Sequence, residues 1–459
     1  MAYNFLPYDQ DQLYLLAPSM REWVREGSLA RFLSDVVDHF DAGGKLARFY
    51  ARRRADGWGR ASYPPVLMVK VLLYGYAVGV RSSRKLAQGL EEWVPLRYLA
   101  ANQQPDFRTI ADFRKEHVEA LEGLFGEVLE LCGEAGLVSL GRVALDGRKV
   151  KGSAALERNR TREQIRKEVK AILAEAERVD AEEDARYGED RRGDELPEGL
   201  RTREERLKRL REAQARLEAR AKAAEAEQAE QIRQREAEEH AAGKKKRGRK
   251  PKAAEQVGRD VAEQAKVNLT DPDSRILKTR RGWVQGYNGQ ALVDDFSQVI
   301  VAAALTQSEN DVGELAPMLE RCAQENGRRP EQCIADAGYW SEANAALEDE
   351  ETELFLATTK SWRQRQALRE HGPPRGRIPR DFSPRERMER KLRTRRGQEI
   401  YRQRSSTVEP VFGQMHERGL NAFLLRGLRK VQCEWSLFST THNLLKLWRS
   451  GWCPALAAG

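Results

Sequence analysis

Paired cysteines, histidines and long apolar runs are all scarce in this chain, and each shortage narrows what it can be. The five cysteines are Cys132, Cys322, Cys333, Cys433 and Cys453. Their number is odd and none form a CxxC pair, which argues against a disulfide framework or a structural zinc site and for a reducing compartment. Histidine occurs only 6 times in 459 residues, so carboxylates are the main stock of metal-binding groups. The longest apolar run, Val66 to Val80, is broken by Lys70 and falls short of the roughly 20 residues needed to span a bilayer. No basic stretch followed by an apolar core opens the sequence, so no secretory leader is expected and the chain reads as cytoplasmic, with no membrane partner.

What is abundant is charge. Lys and Arg total 80 against 71 Asp and Glu, a net charge of +9. Charged residues make up 33% and hydrophobic ones 40%, a balance that suits a packed core with long solvated segments. The basic surplus favours a polyanionic partner, usually nucleic acid. The length suggests about three domains.

Residues 1–135 read as a helical domain. Apolar residues recur at helical spacing through Leu29–Phe40, Pro65–Val78 and Phe107–Leu131. Pro64-Pro65 marks a helix start, Gly79-Val80-Arg81 breaks the pattern, and Ser82-Ser83 can cap a second helix carrying Arg84 and Lys85. That arrangement predicts either a DNA-binding helix-turn-helix or an ordinary helical hairpin. Residues 142–150 read as a strand, and 283–305 as strands turning at Asp294-Asp295. A helix at 311–325, a strand at 332–335, a helix near 342–347, a strand at 354–359 and helices from 400 to 449 follow. This α/β order predicts a mixed sheet flanked by helices, spanning 140–153 and 266–450. The charged block 154–265 interrupts it. Ile165, Val169, Ile172, Ala176 and Val179, and then Leu207, Leu210, Leu217, Ala221 and Ala224, repeat in coiled-coil fashion, which predicts an inserted antiparallel hairpin. A basic tail, 243–252, follows it.

Three carboxylates stand out. Asp146 lies in Val143-Ala-Leu-Asp-Gly147, where an Asp-Gly hairpin turn is the plain alternative. Asp336 ends the apolar strand Cys333-Ile-Ala, where a cap or turn residue is the plain alternative. Carboxylates at neighbouring strand ends would converge at one sheet edge, where α/β sheets hold their chemistry. Glu409 sits among Val408, Pro410, Val411 and Phe412, which predicts apolar surroundings. Pro410 predicts a helix beginning nearby, capped by Ser405, Ser406 or Thr407. Three such carboxylates from separate elements suit two-metal phosphoryl transfer, in which Mg²⁺ ions take hard oxygen ligands and neutralise a phosphodiester.

At these residues the chain resembles the DDE transposases of bacterial insertion sequences, in the branch named after insertion sequence eleven-eighty-two. The resemblance rests on Pro105-Asp-Phe-Arg-Thr-Ile-Ala-Asp-Phe-Arg114, Asp271-Pro-Asp-Ser-Arg275 and Gly286-Tyr-Asn288, besides the three carboxylates. The Tyr, Arg, Glu and Lys signature of related transposases falls on Tyr401, Arg404, Glu409 and position 416, which is His416 here. The resemblance implies a ribonuclease-H-like catalytic domain and two Mg²⁺ or Mn²⁺ ions on Asp146, Asp336 and Glu409. It further implies DNA as partner, both terminal inverted repeats and target, and a homodimer or larger assembly at synapsis. Tyr401, Arg404 and His416 would then contact DNA.

Two further segments read as DNA-binding. Residues 361–404 hold 15 Lys and Arg against 5 Asp and Glu. Arg385, Arg387, Arg393 and Arg395 would track phosphates there, unless they pair with Glu386 and Glu389. Trp362 could stack on a base or be half-buried. Arg247-Gly-Arg249-Lys-Pro251 resembles a minor-groove AT-hook, or is a solvated linker. The expected function is an insertion-sequence transposase; a catalytically dead DNA-binding repressor and a non-joining nuclease are the alternatives.

Overall fold

The computed structural model describes residues 19–51, 62–187, 198–242, 251–279, 282–359 and 381–454, with a few single residues between 366 and 379. Helices lead: α1 (Leu29–Ala42), α2 (Pro65–Ala77), α3 (Ser83–Glu92), α4 (Phe107–Glu116) and α5 (Val118–Glu134). Pro65 opens α2, where its missing N–H costs nothing. Gly79, at φ +83, turns the chain toward α3. Ser82 is the N-cap of α3 but makes no side-chain cap. The Ser83 hydroxyl instead accepts from the Arg114 guanidinium. The helix, glycine turn and helix expected here are therefore present, with Arg84 and Lys85 exposed on α3. Helix α2 is apolar nearly all round and buried accordingly.

Six strands build the main sheet: β1 (Arg142–Lys151), β2 (Arg275–Thr279), β3 (Gly282–Asp294), β4 (Ile300–Thr306), β5 (Gln332–Ala335) and β6 (Glu353–Leu356). Strand β1 is central. On one side β3 runs antiparallel to it, and the far edge of β3 takes β2 and then β4, both antiparallel. On the other side β5 and then β6 run parallel. The uninterrupted apolar runs of β5 and β6 suit strands covered on both faces. The expected strand over 354–359 stops at Leu356, because its partner β5 ends at Ala335.

Between β1 and β2 the chain leaves the sheet. Helices α6 (Arg162–Tyr187) and α7 (Glu198–Ala242) form the expected hairpin. Arg162 pairs with Glu218, and Glu168 with Arg206, so the two helices run antiparallel. Ile165, Leu210, Ala213, Leu217 and Val267 make its small core. A helix not foreseen, α8 (Ala254–Gln264), folds back on α7, with Gly258 against Glu225 and Ala221.

After β4 come α9 (Leu315–Asn326), α10 (Pro384–Arg393), α11 (Arg395–Glu417) and α12 (Leu428–Arg449). One hydrophobic cluster runs from Phe32, Leu72 and Leu124 through Leu145 and Leu292 to Val411 and Leu444. The change of element type near residue 135 thus falls inside a single core. No helix among the described residues is long and apolar enough to cross a membrane.

Pro410 does not start a helix. It lies inside α11, which begins far upstream with Thr394 capping the Gly397 N–H. A helical proline strips its i−4 carbonyl of a donor. Here that carbonyl, on Ser406, accepts from Gln298 Nε2 at 2.9 Å. Gln298 sits in a left-handed turn, φ +61, between β3 and β4. Its side-chain oxygen accepts from Lys446 Nζ at 2.8 Å. Gln298→Ala should cost about 1 kcal/mol, the value of losing one partly buried hydrogen bond and one exposed one. Urea unfolding with unchanged m-value checks this; a loss below the error of the titration would show that the proline break needs no outside donor.

Candidate active site

Asp146 is reached from the ladder. Leu145 pairs with Ala335 in parallel register, so the next residues along, Asp146 and Asp336, stand side by side where β5 ends. There is no Asp-Gly turn at 146–147, since β1 runs on through Gly147 to Lys151 opposite β3. The Asp146 side chain is 23% exposed and takes the Arg404 Nη1 at 3.0 Å. The Gly147 N–H donates to its other oxygen at 2.9 Å. Burial, reinforced by the charge of Asp336, pushes this carboxyl up to about 6, against the pull of Arg404 and the Gly147 N–H. Asp336 accepts from the Gly338 N–H in a tight loop that leads to buried Tyr339.

Glu409 corrects the expectation of apolar surroundings. Its side chain is 62% exposed. Helical neighbours diverge, so Val408, Val411 and Phe412 enter the core while Glu409 points out. Arg402, Glu409 and His416 are all exposed and share one face of α11, as their spacing of seven predicts. Arg404 Nη2 lies 3.6 Å from Glu409, so one guanidinium touches both Asp146 and Glu409. Burial works against the charge on Arg404, but Asp146, Tyr401 and Asp336 outweigh it and hold its pKa above the ordinary value. Tyr401 packs with Ile334, Phe355 and Ile400 under β5 and β6.

Among the described residues no three carboxylate, imidazole or thiol groups are clustered tightly enough to hold a metal ion. The chemistry of the donors still fits Mg²⁺ or Mn²⁺: they are hard oxygens, and Asp146 is buried beside a second carboxylate, where a cation lowers the cost of its charge.

Asp311, which the sequence reading passed over, also belongs here. It precedes the 3₁₀ turn leading into α9. One of its oxygens accepts from Asn288 Nδ2 at 2.7 Å and Gln290 Nε2 at 2.9 Å. Gln290 in turn accepts from the Tyr339 hydroxyl. The only sequence signal was the Gly286-Tyr-Asn288 motif, which pointed to the strand but not to its partner. The motif's Tyr287 serves elsewhere, donating to buried Asp271 at 2.8 Å; Asp271 also accepts from the Gly427 N–H ahead of α12.

The basic residues divide. Arg385 pairs with Glu389 at 3.0 Å, as the salt-bridge alternative held. Glu386 instead closes a capping box with Ser383, and Arg387 donates to the Phe382 carbonyl. Arg393 is partly buried and Arg395 is exposed. Arg84 lies over the Phe107 ring, 5.1 Å from its centroid. Arg247, Arg249 and Trp362 lie outside the described residues.

Two family matches bear on the site. Residues 18–116 match a transposase domain (DUF772), and residues 375–448 match a transposase DDE domain. The two matches, one toward each end of the chain, are consistent with a DDE transposase. The second match contains Glu409; Asp146 and Asp336 fall between the two. No curated protein and no solved structure matches.

Proposed function

With transposase domains toward both ends of the chain as premise, we propose that it binds the terminal inverted repeats of an insertion sequence, cuts there, and joins the ends to target DNA. The observation that carries this reading is the parallel register that sets Asp146 beside Asp336, with Arg404 linking Asp146 to Glu409. Four strands joined by antiparallel pairings, β1 to β4, followed by two that run parallel to β1, with β1 at the centre, support a ribonuclease-H-like catalytic domain.

In this reading Asp146, Asp336 and Glu409 hold Mg²⁺ or Mn²⁺, two ions as the resemblance implies. A metal held there would neutralise the phosphodiester and ease ionisation of the attacking hydroxyl. The protein's own groups do the positioning. Asp146 and Asp336 are fixed by the ladder and its terminal loop. Arg404 presents a planar fork that suits phosphate as well as carboxylate, so it exchanges Asp146 for a phosphate as DNA arrives. The exposed face of Arg402 and His416 lies alongside Glu409 to receive the strand. Synapsis of two ends calls for at least a dimer.

The test is joining. A duplex ending in the element's inverted repeat, labelled at its 3′-end, should become covalently linked to a target duplex in Mg²⁺. Hydrolysis without joining would make the protein a nuclease, and binding alone would make it a repressor. The basic side chains give a second expectation. Arg395→Ala and Arg402→Ala should each flatten the plot of log affinity against log salt by about 0.9 on duplex DNA. Arg385→Ala, already paired with Glu389, should leave the slope unchanged. Equal slopes in all three variants would remove α10 and α11 from the DNA track.

A further inference from the structure

Asp311 and Asp336 face each other across a glycine. A methyl group on Gly338 would lie 2.7 Å from Asp336 Oδ1 and 3.2 Å from Asp311 Oδ2, so both oxygens border the same small space. The Asn288 and Gln290 amides saturate Asp311 Oδ1 and fix its direction. Among the described residues, the donors to Asp311 both go to Oδ1, which leaves Oδ2 on the side of Asp336. Arg404, the cation that touches Asp146, is engaged there and with Glu409.

A second, independent feature points the same way. Asn288 is fully buried, and its Oδ1 has no hydrogen-bond partner. Its amide orientation is set, because Nδ2 must face Asp311. The orphaned oxygen lies against Gly147, where an added methyl would meet it at 3.1 Å and Asp311 Oδ1 at 2.8 Å. A buried acceptor without a donor is destabilising, and two neighbouring carboxylates add repulsion. One hard cation, with the water it carries, relieves both. Mg²⁺ is characteristically held by one or two carboxylates while keeping several waters.

We propose that Asp311 is a fourth carboxylate of the cation-binding set, opposite Asp336, with the Asn288 carbonyl beside it. The glycine at 338 is required because a side chain there would fill the space bordered by Asp336 Oδ1 and Asp311 Oδ2, and one at 147 would crowd the Asn288 carbonyl and the Gln290 amide. This inference rests on the metal-dependent reading above, and goes beyond the three carboxylates of that reading.

The probe is Mn²⁺ alone, titrated into the full-length protein without DNA and followed by paramagnetic resonance or calorimetry. Asp311→Asn should weaken Mn²⁺ binding by about tenfold or more, or remove one site, on the scale seen when groups supporting a metal are lost. In EDTA the same variant should melt no lower than the wild type, since an amide facing Asp336 replaces repulsion by a hydrogen bond. Gly338→Ala, which puts a methyl between the two carboxylates, should weaken Mn²⁺ similarly and guards against misfolding of the first variant. Asp336→Asn is the reference. Weakening by Asp336→Asn but not by Asp311→Asn or Gly338→Ala would overturn the role of Asp311 and leave the metal-dependent reading standing. Unchanged Mn²⁺ binding in all three would overturn both.

Discussion

Asp336→Asn should abolish strand cleavage while leaving binding to end DNA intact. Asn keeps the shape and the Gly338 hydrogen bond but removes the charge that a metal needs. The loss should be on the order of 10⁴-fold or more, the scale for removing one member of a set that acts as a unit. Asp146→Asn and Glu409→Gln should behave alike, and any double variant should be little worse than its singles, for the same reason. Glu409→Gln is the sharpest of the three, because Glu409 is exposed and, among the described residues, is paired with Arg404 alone; its substitution cannot act by unfolding the core. Single-turnover cleavage of a labelled end fragment, with gel-shift affinity measured in parallel, reads both quantities. Near wild-type cleavage in Asp336→Asn would sink the assignment.

The largest stability effect should come from a pair remote from the carboxylates. Glu434, on α12, is fully buried and takes Arg81 Nη1 at 2.8 Å. The N–H groups of Leu424 and Leu425 donate to the same carboxylate. Arg81 also donates to the carbonyls of Gly419 and Ala422 and lies over the Phe438 ring. This is the joint by which the turn between α2 and α3 is locked to the C-terminal helices. Removing one member of a buried pair leaves the other charged and unsatisfied, at about 3–5 kcal/mol. Glu434→Ala and Arg81→Met should each cost that much in denaturant unfolding. The double variant Arg81→Met, Glu434→Leu should recover part of it, because replacing both partners with apolar groups removes the burial penalty. Additive losses would mean that the two side chains act separately. A loss under about 1 kcal/mol for Glu434→Ala would show an exposed, weak pair instead.

What the sequence could and could not reveal follows from the distance over which each feature is decided. Strands β1 and β5 are written in local apolar runs, and their parallel pairing brings Asp146 to Asp336 as soon as the two strands are neighbours. The antiparallel arms α6 and α7 are likewise written in their own apolar repeat. The continuity of α11 is not local. A proline normally ends a helix, and the donor that satisfies Ser406 comes from Gln298, 108 residues away in sequence. The outward direction of Glu409 is set the same way: its apolar neighbours in sequence point elsewhere once the helix runs through. The motif ending in Asn288 marks the strand, but Asp311 is singled out only when β3 brings Asn288 and Gln290 across from it. The single core spanning helices and sheet was hidden too, since α2 reads as any buried helix and Arg81 as any basic turn residue.

The claim that this carboxylate site performs metal-dependent phosphoryl transfer on DNA is tested most directly by cation removal. A labelled fragment carrying one end of the element is incubated with the wild-type protein in Mg²⁺, in Mn²⁺, in Ca²⁺ and in EDTA. Cleavage at the end is expected in Mg²⁺ and Mn²⁺ and none in EDTA. Ca²⁺ should support binding but little chemistry, because its larger and looser shell sets the reacting oxygens badly. Robust cleavage in EDTA would contradict the account.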